Sequence, residues 1–144
     1  MVKAFFDTNV LVYMYSTSDL EKQARARELF RLHDGEGGIV VSTQVVQEFY
    51  AVGLRKLAFS RQRLREAVAR LLALPLVLVG PSHILKALEN EERYRISFWD
   101  ALILAAAELG GAGVLYTEDL NDGQQYGAVL VRNPFRSPEP FKAG

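Results

Sequence analysis

Four carboxylates stand at places where an α/β chain could gather them: Asp7, Glu48, Asp100 and Asp119. Carboxylates crowded at one point repel and raise one another's pKa unless a cation neutralises them. Their oxygens are hard donors with no soft donor beside them, a set that selects Mg2+ or Mn2+ over zinc or copper. Two such ions could activate a water and stabilise the leaving oxygen of an in-line displacement at a phosphodiester. Each acid also has an ordinary structural reading, so the elements that carry them must decide.

Asp7 ends the stretch Val2–Asn9, VKAFFDTN, where an apolar run stops abruptly before Thr8, Asn9 and a second apolar run. This reads as a buried strand with a carboxylate at its C-terminal end. In open α/β sheets ligands bind beyond those ends, where the strand order reverses. Asp, Thr and Asn equally suit turns and helix N-caps. Glu48 falls roughly 40° from Val52, at the border of the apolar arc formed by Val45, Val46, Phe49 and Tyr50. Its plain reading is a flanking glutamate whose stem snorkels to water. Asp100 stands three residues after Ser97, a capping-box spacing, yet Phe98, Trp99 and Ala101–Ala107 surround it with apolar side chains. Asp119 follows a strand in Tyr116-Thr117-Glu118-Asp119, and alternation sends Glu118 to the opposite face. Asp122-Gly123 reads first as a turn and only second as a fifth acid.

The elements that would position these groups alternate. Strands are expected at Val2–Asp7, Ile39–Val41, Leu76–Val79, Val114–Thr117 and Val129–Arg132. A short helix or turn should fill Val10–Tyr15. Ser18 with Glu21 predicts a capped helix from Asp19 to about Leu32, ended by Gly35, Gly37 and Gly38. Further helices are expected from Ser42 or Thr43 to Arg55, from Ser60 to Leu74, from Ser82 to Tyr94 and over Phe98–Leu109. Alternation of this kind implies right-handed crossovers and a mainly parallel sheet of about five strands covered on both faces. Residues 1–133 are expected to form a single domain, and 134–144, with three prolines, an irregular tail.

At 144 residues and 49% hydrophobic, the chain can build a sizeable core without staples. It has no cysteine, which excludes disulfides, thiolate nucleophiles and cysteine-bound zinc. Seventeen basic residues balance seventeen acidic ones, so a polyanionic partner would need a local patch. The longest basic cluster is Arg55, Lys56, Arg61, Arg63 and Arg65 around a helix junction, a solvated face or a place for RNA phosphates or an acidic partner. The apolar run Leu71–Val79 is broken by Pro75 and is too short to span a membrane. The strand signal starting at Val2 leaves no room for a leader, and a soluble cytoplasmic protein is expected.

Phe6-Asp7-Thr8-Asn9, Glu48, Ser97-Phe98-Trp99-Asp100-Ala101 and Tyr116-Thr117-Glu118-Asp119-Leu120, followed by Asp122-Gly123, together resemble the PIN domain, in that family's order and over nearly the whole chain. The short single-domain form looks most like VapC-type toxins of toxin–antitoxin pairs. The resemblance implies a three-layer α/β/α sandwich and a Mg2+- or Mn2+-dependent endoribonuclease, usually a homodimer and held inactive by a cognate antitoxin protein. It implies Asp7, Glu48, Asp100 and Asp119 as the catalytic, metal-binding acids. Thr8, Asn9 and Thr117 would be polar supports, and Asp122 matches a less constant acid.

Other readings compete. A non-catalytic RNA- or protein-binding module would keep the scaffold and leave the acids idle. A phosphotransferase using Asp7 as nucleophile wants a second acid two residues on, where Asn9 stands, and no Gly-rich phosphate loop is present. His33 and His83 lie at expected helix ends outside any metal-ligand spacing, which points to surface or capping roles. Trp99 could stack on a base, but beside Phe98 and Ile103 it reads as core.

Overall fold

The computed structural model describes residues 2–34 and 38–136. In chain order the elements are β1 (Ala4–Phe6), α1 (Thr8–Tyr13), α2 (Leu20–His33), β2 (Ile39–Ser42), α3 (Thr43–Lys56), α4 (Arg61–Leu72), β3 (Leu76–Val77), α5 (Pro81–Tyr94), α6 (Phe98–Leu109), β4 (Val114–Tyr116), β5 (Gln125–Tyr126) and β6 (Val129–Arg132). The strands form one sheet in the order β3-β2-β1-β4-β6-β5. All pairings are parallel except β5 with β6. The chain lays β2 and β3 to one side of β1, then returns to lay β4 on the other. The order therefore reverses between β1 and β4, the point at which such sheets bind ligands.

Ala4, Phe5 and Phe6 are all fully buried although alternate side chains leave opposite faces, so helices cover both sides. Phe6 packs its ring on Phe30 of α2 (centroids 5.7 Å apart) and on Tyr116 (5.2 Å). Phe5 faces the other way with its register partner Val40, whose side chain abuts the end of α6 at Gly110. α6 lies on β2, β4 and β6 and is backed by α5. α1 joins α2 to the α3–α4 hairpin. These layers make the three-layer α/β/α sandwich. Where α3 crosses α4, a Cβ on Gly53 would stand 2.8 Å from the Leu64 side chain, so a bare backbone permits that approach.

The local chemistry follows the sequence with instructive exceptions. Ser42, Ser60 and Ser97 each cap the helix that follows, accepting from the backbone N–H three residues on. α2 is capped by Asp19 instead of Ser18, whose hydroxyl is taken by Ser16 at 2.8 Å. α5 opens at Pro81, not Ser82, because proline suits the first helical position. His83 Nδ1 there accepts from the Gly80 N–H at 3.1 Å, the capping role expected of it. α4 ends at Leu72, and β3 stops at Val77, leaving Leu78 69% exposed.

The sixth strand is the main departure from the expected five. Gln125-Tyr126 turns back on β6 through Gly127-Ala128, with Gly127 at φ +60° as a type II′ hairpin turn requires. Two residues, one of them polar, carry no apolar or alternating signature. His33 is a second correction: only 2% exposed, it bonds through Nε2 to the Tyr116 hydroxyl at 2.9 Å, because the last turn of α2 points at the sheet. Trp99 is a third. It is 64% exposed, since the first turn of α6 overhangs the sheet edge and turns Trp99 outward. Gly35, Gly37 and residues 137–144 of the expected tail lie outside the described residues. Of that tail, Pro134 accepts from Arg25 Nε at 3.1 Å and Phe135 packs on Tyr13.

Candidate active site

The sheet edge at the reversal point carries the acids. β1 ends at Phe6, but its ladder continues one residue, because the Asp7 N–H donates to the Tyr116 carbonyl at 3.0 Å. Asp7 is thus placed by the sheet itself and is only 5% exposed. Both of its oxygens are engaged. Oδ1 accepts from the Thr8 N–H and Oδ2 from the Thr117 hydroxyl, each at 2.7 Å. The helix-cap reading and the site reading of Asp7 therefore describe one geometry, since the first bond also caps α1.

The two threonines extend this centre in opposite directions. Thr117 Oγ1, while donating to Asp7, accepts from the Asp119 N–H at 3.1 Å. Thr8 Oγ1 donates to Glu48 Oε1 at 3.3 Å. A continuous path runs Glu48–Thr8–Asp7–Thr117–Asp119, joining the β1 end to α3 and to the loop after β4. Asp100 arrives from the first turn of α6, with its N–H bonded to Ser97 Oγ at 3.1 Å. α6 runs antiparallel to the strand it precedes, so its N-terminus lies at the same sheet edge.

The four acids also act on one another electrostatically. Burial pushes Asp7 from 3.8 up to about 7; the bonds from Thr117 and Thr8 oppose the rise, and Asp119 and Asp100 add to it. Glu48 is raised by its partial burial, against bonds from Thr8 and Gln44, with Asp100 and Asp119 again adding. Asp100 is raised by partial burial and by Asp119, against its bond to Ser97.

The remaining expected residues divide. Glu118 faces away, as alternation requires, into an ion pair with Lys22 at 3.1 Å. Asp122 accepts from the Asn133 N–H at 2.8 Å through Oδ1 and so braces its turn against the end of β6. Asn9 is half-buried on α1, and its amide makes no hydrogen bond to another described residue; the supporting contact expected of it is not formed.

One residue was missed. Gln44, 7% exposed, lies one helical turn before Glu48 and donates through Nε2 to the Trp99 carbonyl at 3.3 Å. It ties the helix bearing Glu48 to the turn bearing Asp100, and its Oε1 is buried without a hydrogen-bond partner. The spacing of four on one helix, which places two side chains on one face, was the signal.

Among the described residues no group of three or more acidic or histidine side chains is placed closely enough to hold a metal ion. The donor set is nevertheless carboxylate oxygen throughout, and Mg2+ keeps several of its own waters and takes only one or two protein carboxylates directly. Acids that hold one another's pKa up form a site that a cation would relieve. In chemistry, the residues present fit a hard divalent ion.

A family model for the PIN domain matches residues 4–122. No curated protein matches the chain by sequence. Among solved structures, a toxin–antitoxin complex from Klebsiella pneumoniae superposes with a TM-score of 0.70 at 17% identity, over 92% of this chain and 98% of that one. VapC20 of Mycobacterium tuberculosis, a toxin that cleaves the sarcin–ricin loop, superposes with a TM-score of 0.66 at 20% identity, over 81% of this chain and 90% of that one. At these identities the likeness establishes a shared fold.

Proposed function

The chain belongs to the PIN domain family, and from that premise we propose that it is a Mg2+- or Mn2+-dependent endoribonuclease, the toxin of a toxin–antitoxin pair. The observation that carries this reading is the bonded path from Glu48 through Asp7 to Asp119 at the reversal point of the sheet. Asp7, Glu48, Asp100 and Asp119 would hold the metal. When bound, a divalent ion supplies a water acidified toward hydroxide and positive charge for the oxyanion that develops at phosphorus. Thr117 and Thr8 keep the Asp7 oxygens oriented. Glu48 and Asp100, half-buried and raised in pKa, are the groups that can accept a proton from attacking water on the open side of the site.

The two structural neighbours support RNA as substrate and an antitoxin as partner, and such a substrate is in keeping with action in the cytoplasm. No helix among the described residues is long and apolar enough to cross a membrane. Ile84, Leu85 and Leu88, exposed on α5, support assembly as a homodimer.

The test is cleavage of single-stranded RNA by the purified protein. Cleavage is expected with Mg2+ or Mn2+, is stopped by EDTA, and is lost in Asp7→Asn. Robust cleavage by the Asp7→Asn protein would overturn the reading. Absence of both cleavage and Mn2+ binding would establish the non-catalytic binding module instead.

A further inference from the structure

α1 and α3 pack side by side, and each has an acid toward its start: Asp7 caps α1, and Glu48 sits in the second turn of α3. Beyond their other ends lies a pocket of about 290 Å³ that includes Ser16, Thr17, Ser18, Lys56, Phe59 and Arg63 in its lining, with no acid in its wall. Lys56 stands eight residues after Glu48, roughly 12 Å along the helix axis.

The charge around this pocket is one-sided in a chain whose formal net charge is zero. Arg55, Lys56, Arg61, Arg63, Arg65 and Arg70 face a single acid, Glu66, within the same segment. Two of these cations are where helices want them: Arg55 and Lys56 end α3, at the negative pole of its dipole. The next ones are not. Arg61 and Arg63 occupy the first turn of α4, which contains no acid, so they repel the positive pole of their own helix. A local rule broken without internal compensation marks a place where function sets the residue type. Neither Lys56 nor Arg63 makes an ion pair with another described residue. The Arg63 guanidinium is instead held flat over the Phe59 ring at 3.8 Å, its edge donors free of any carboxylate.

An anion docked in the pocket would meet two cations, Lys56 and Arg63, and the Thr17 hydroxyl of the Ser16–Ser18 loop. Lysine, arginine and small hydroxyls together are the usual contacts of a nucleic-acid phosphate. A single strand lying on the acidic edge reaches this distance within a few nucleotides. We propose that the Lys56–Arg63 pocket binds a backbone phosphate of the RNA, a few nucleotides from the scissile one, and sets where the strand lies across the acids. This rests on the ribonuclease reading of the acidic edge.

The test is fluorescence anisotropy of a labelled 12-nucleotide single-stranded RNA in EDTA, where cleavage is off, comparing the full chain with its Lys56→Gln/Arg63→Gln form. Both positions are exposed and outside the core, so the fold survives the change. The double variant is expected to bind about tenfold more weakly for every base composition, and the slope of log affinity against log salt to shrink by about 0.7, the value for one phosphate contact on a single strand. Equal affinity and equal slope in the two proteins, alongside cleavage by the unaltered one, would overturn the pocket and leave the nuclease standing. An unaltered protein that neither binds nor cleaves RNA would overturn both. If the variant loses affinity for a poly-glutamate peptide and keeps it for RNA, the pocket serves an acidic protein segment and the inference fails.

Discussion

The acidic edge has two halves built on different supports. Asp7 and its partner Thr117 extend adjacent strands, are almost fully buried, and share a 2.7 Å bond. Glu48 and Asp100 ride on helix turns and are half-exposed, and the bond Glu48 accepts from Thr8 is long, at 3.3 Å. Strand ends in the middle of a sheet cannot shift without breaking its ladder, whereas side chains on helix turns can change rotamer. The difference assigns the fixed point of the site to the strands and its adjustable groups to the helices, as a centre that must bind an ion and then admit a substrate requires.

The sharpest way to break this comparison is Asp7→Asn. The reading predicts a fall in RNA cleavage on the order of 10²–10⁴-fold together with a gain in stability. Asp7 has a folded-state pKa of about 7, above its ordinary 3.8, because burial disfavours its charge. The contribution of such a group is fully present below pH 3.8 and is lost as pH rises through 7. The shift of about three units corresponds to about 4 kcal/mol. In EDTA, the stability of the unaltered protein relative to Asp7→Asn should therefore decline by about that amount between pH 4 and 7.5. A flat difference in denaturant melts over that window would show that Asp7 is not a buried charge.

Thr117→Val comes next. It removes the donor to Asp7 and the acceptor of the Asp119 N–H in one step. A partner of this kind costs about 10–100-fold in metal affinity or activity when lost, which a Mn2+ titration measures. Thr117→Ser, which keeps the hydroxyl, should recover most of it. If Thr117→Val binds Mn2+ as well as the unaltered protein, the strand half is not the fixed point. Glu48→Gln and Asp100→Asn should lower cleavage while changing metal-free stability by less than about 1 kcal/mol, because both side chains reach solvent. A large stability change in either would erase the distinction between the halves.

How much of this was legible in the sequence divides along the same line. Strands and caps with strong local signals were found where expected: the apolar runs of β1 and β2, the serines before α3, α4 and α6, and the length of α6. Three of the four acids sit at element boundaries that pattern reading locates well and Glu48 sits at the edge of a helical apolar arc, while alternation alone separated Glu118, which pairs with Lys22. What escaped depends on tertiary context. β5 exists only because β6 offers it an edge, and His33 is buried only because Tyr116 supplies a polar partner on the sheet. Trp99 looked like core by composition, but composition does not reveal that the first turn of α6 projects past the strands. Asp122 and Asn9 matched a family pattern, and the contact Asp122 makes to the Asn133 N–H is one that pattern does not reveal.

Gln44 sets the finest test of the two halves, because it links the adjustable groups to each other. Its amide bonds the Trp99 carbonyl and also supports Glu48, and its buried oxygen has no partner. Gln44→Leu removes both at similar volume. Losing the bond costs about 1 kcal/mol, and removing an unsatisfied buried oxygen returns a similar amount, so stability should stay within about 1 kcal/mol. Activity should respond differently. The Gln44 amide holds the Glu48 pKa down against burial, so its loss lets that pKa rise further. The acidic limb of the pH–rate profile should move to higher pH, because a carboxyl that holds its proton longer is a weaker base on that limb. An unmoved limb with a lowered melting point would make Gln44 a packing residue, and the helix half of the site would then be held by Thr8 alone.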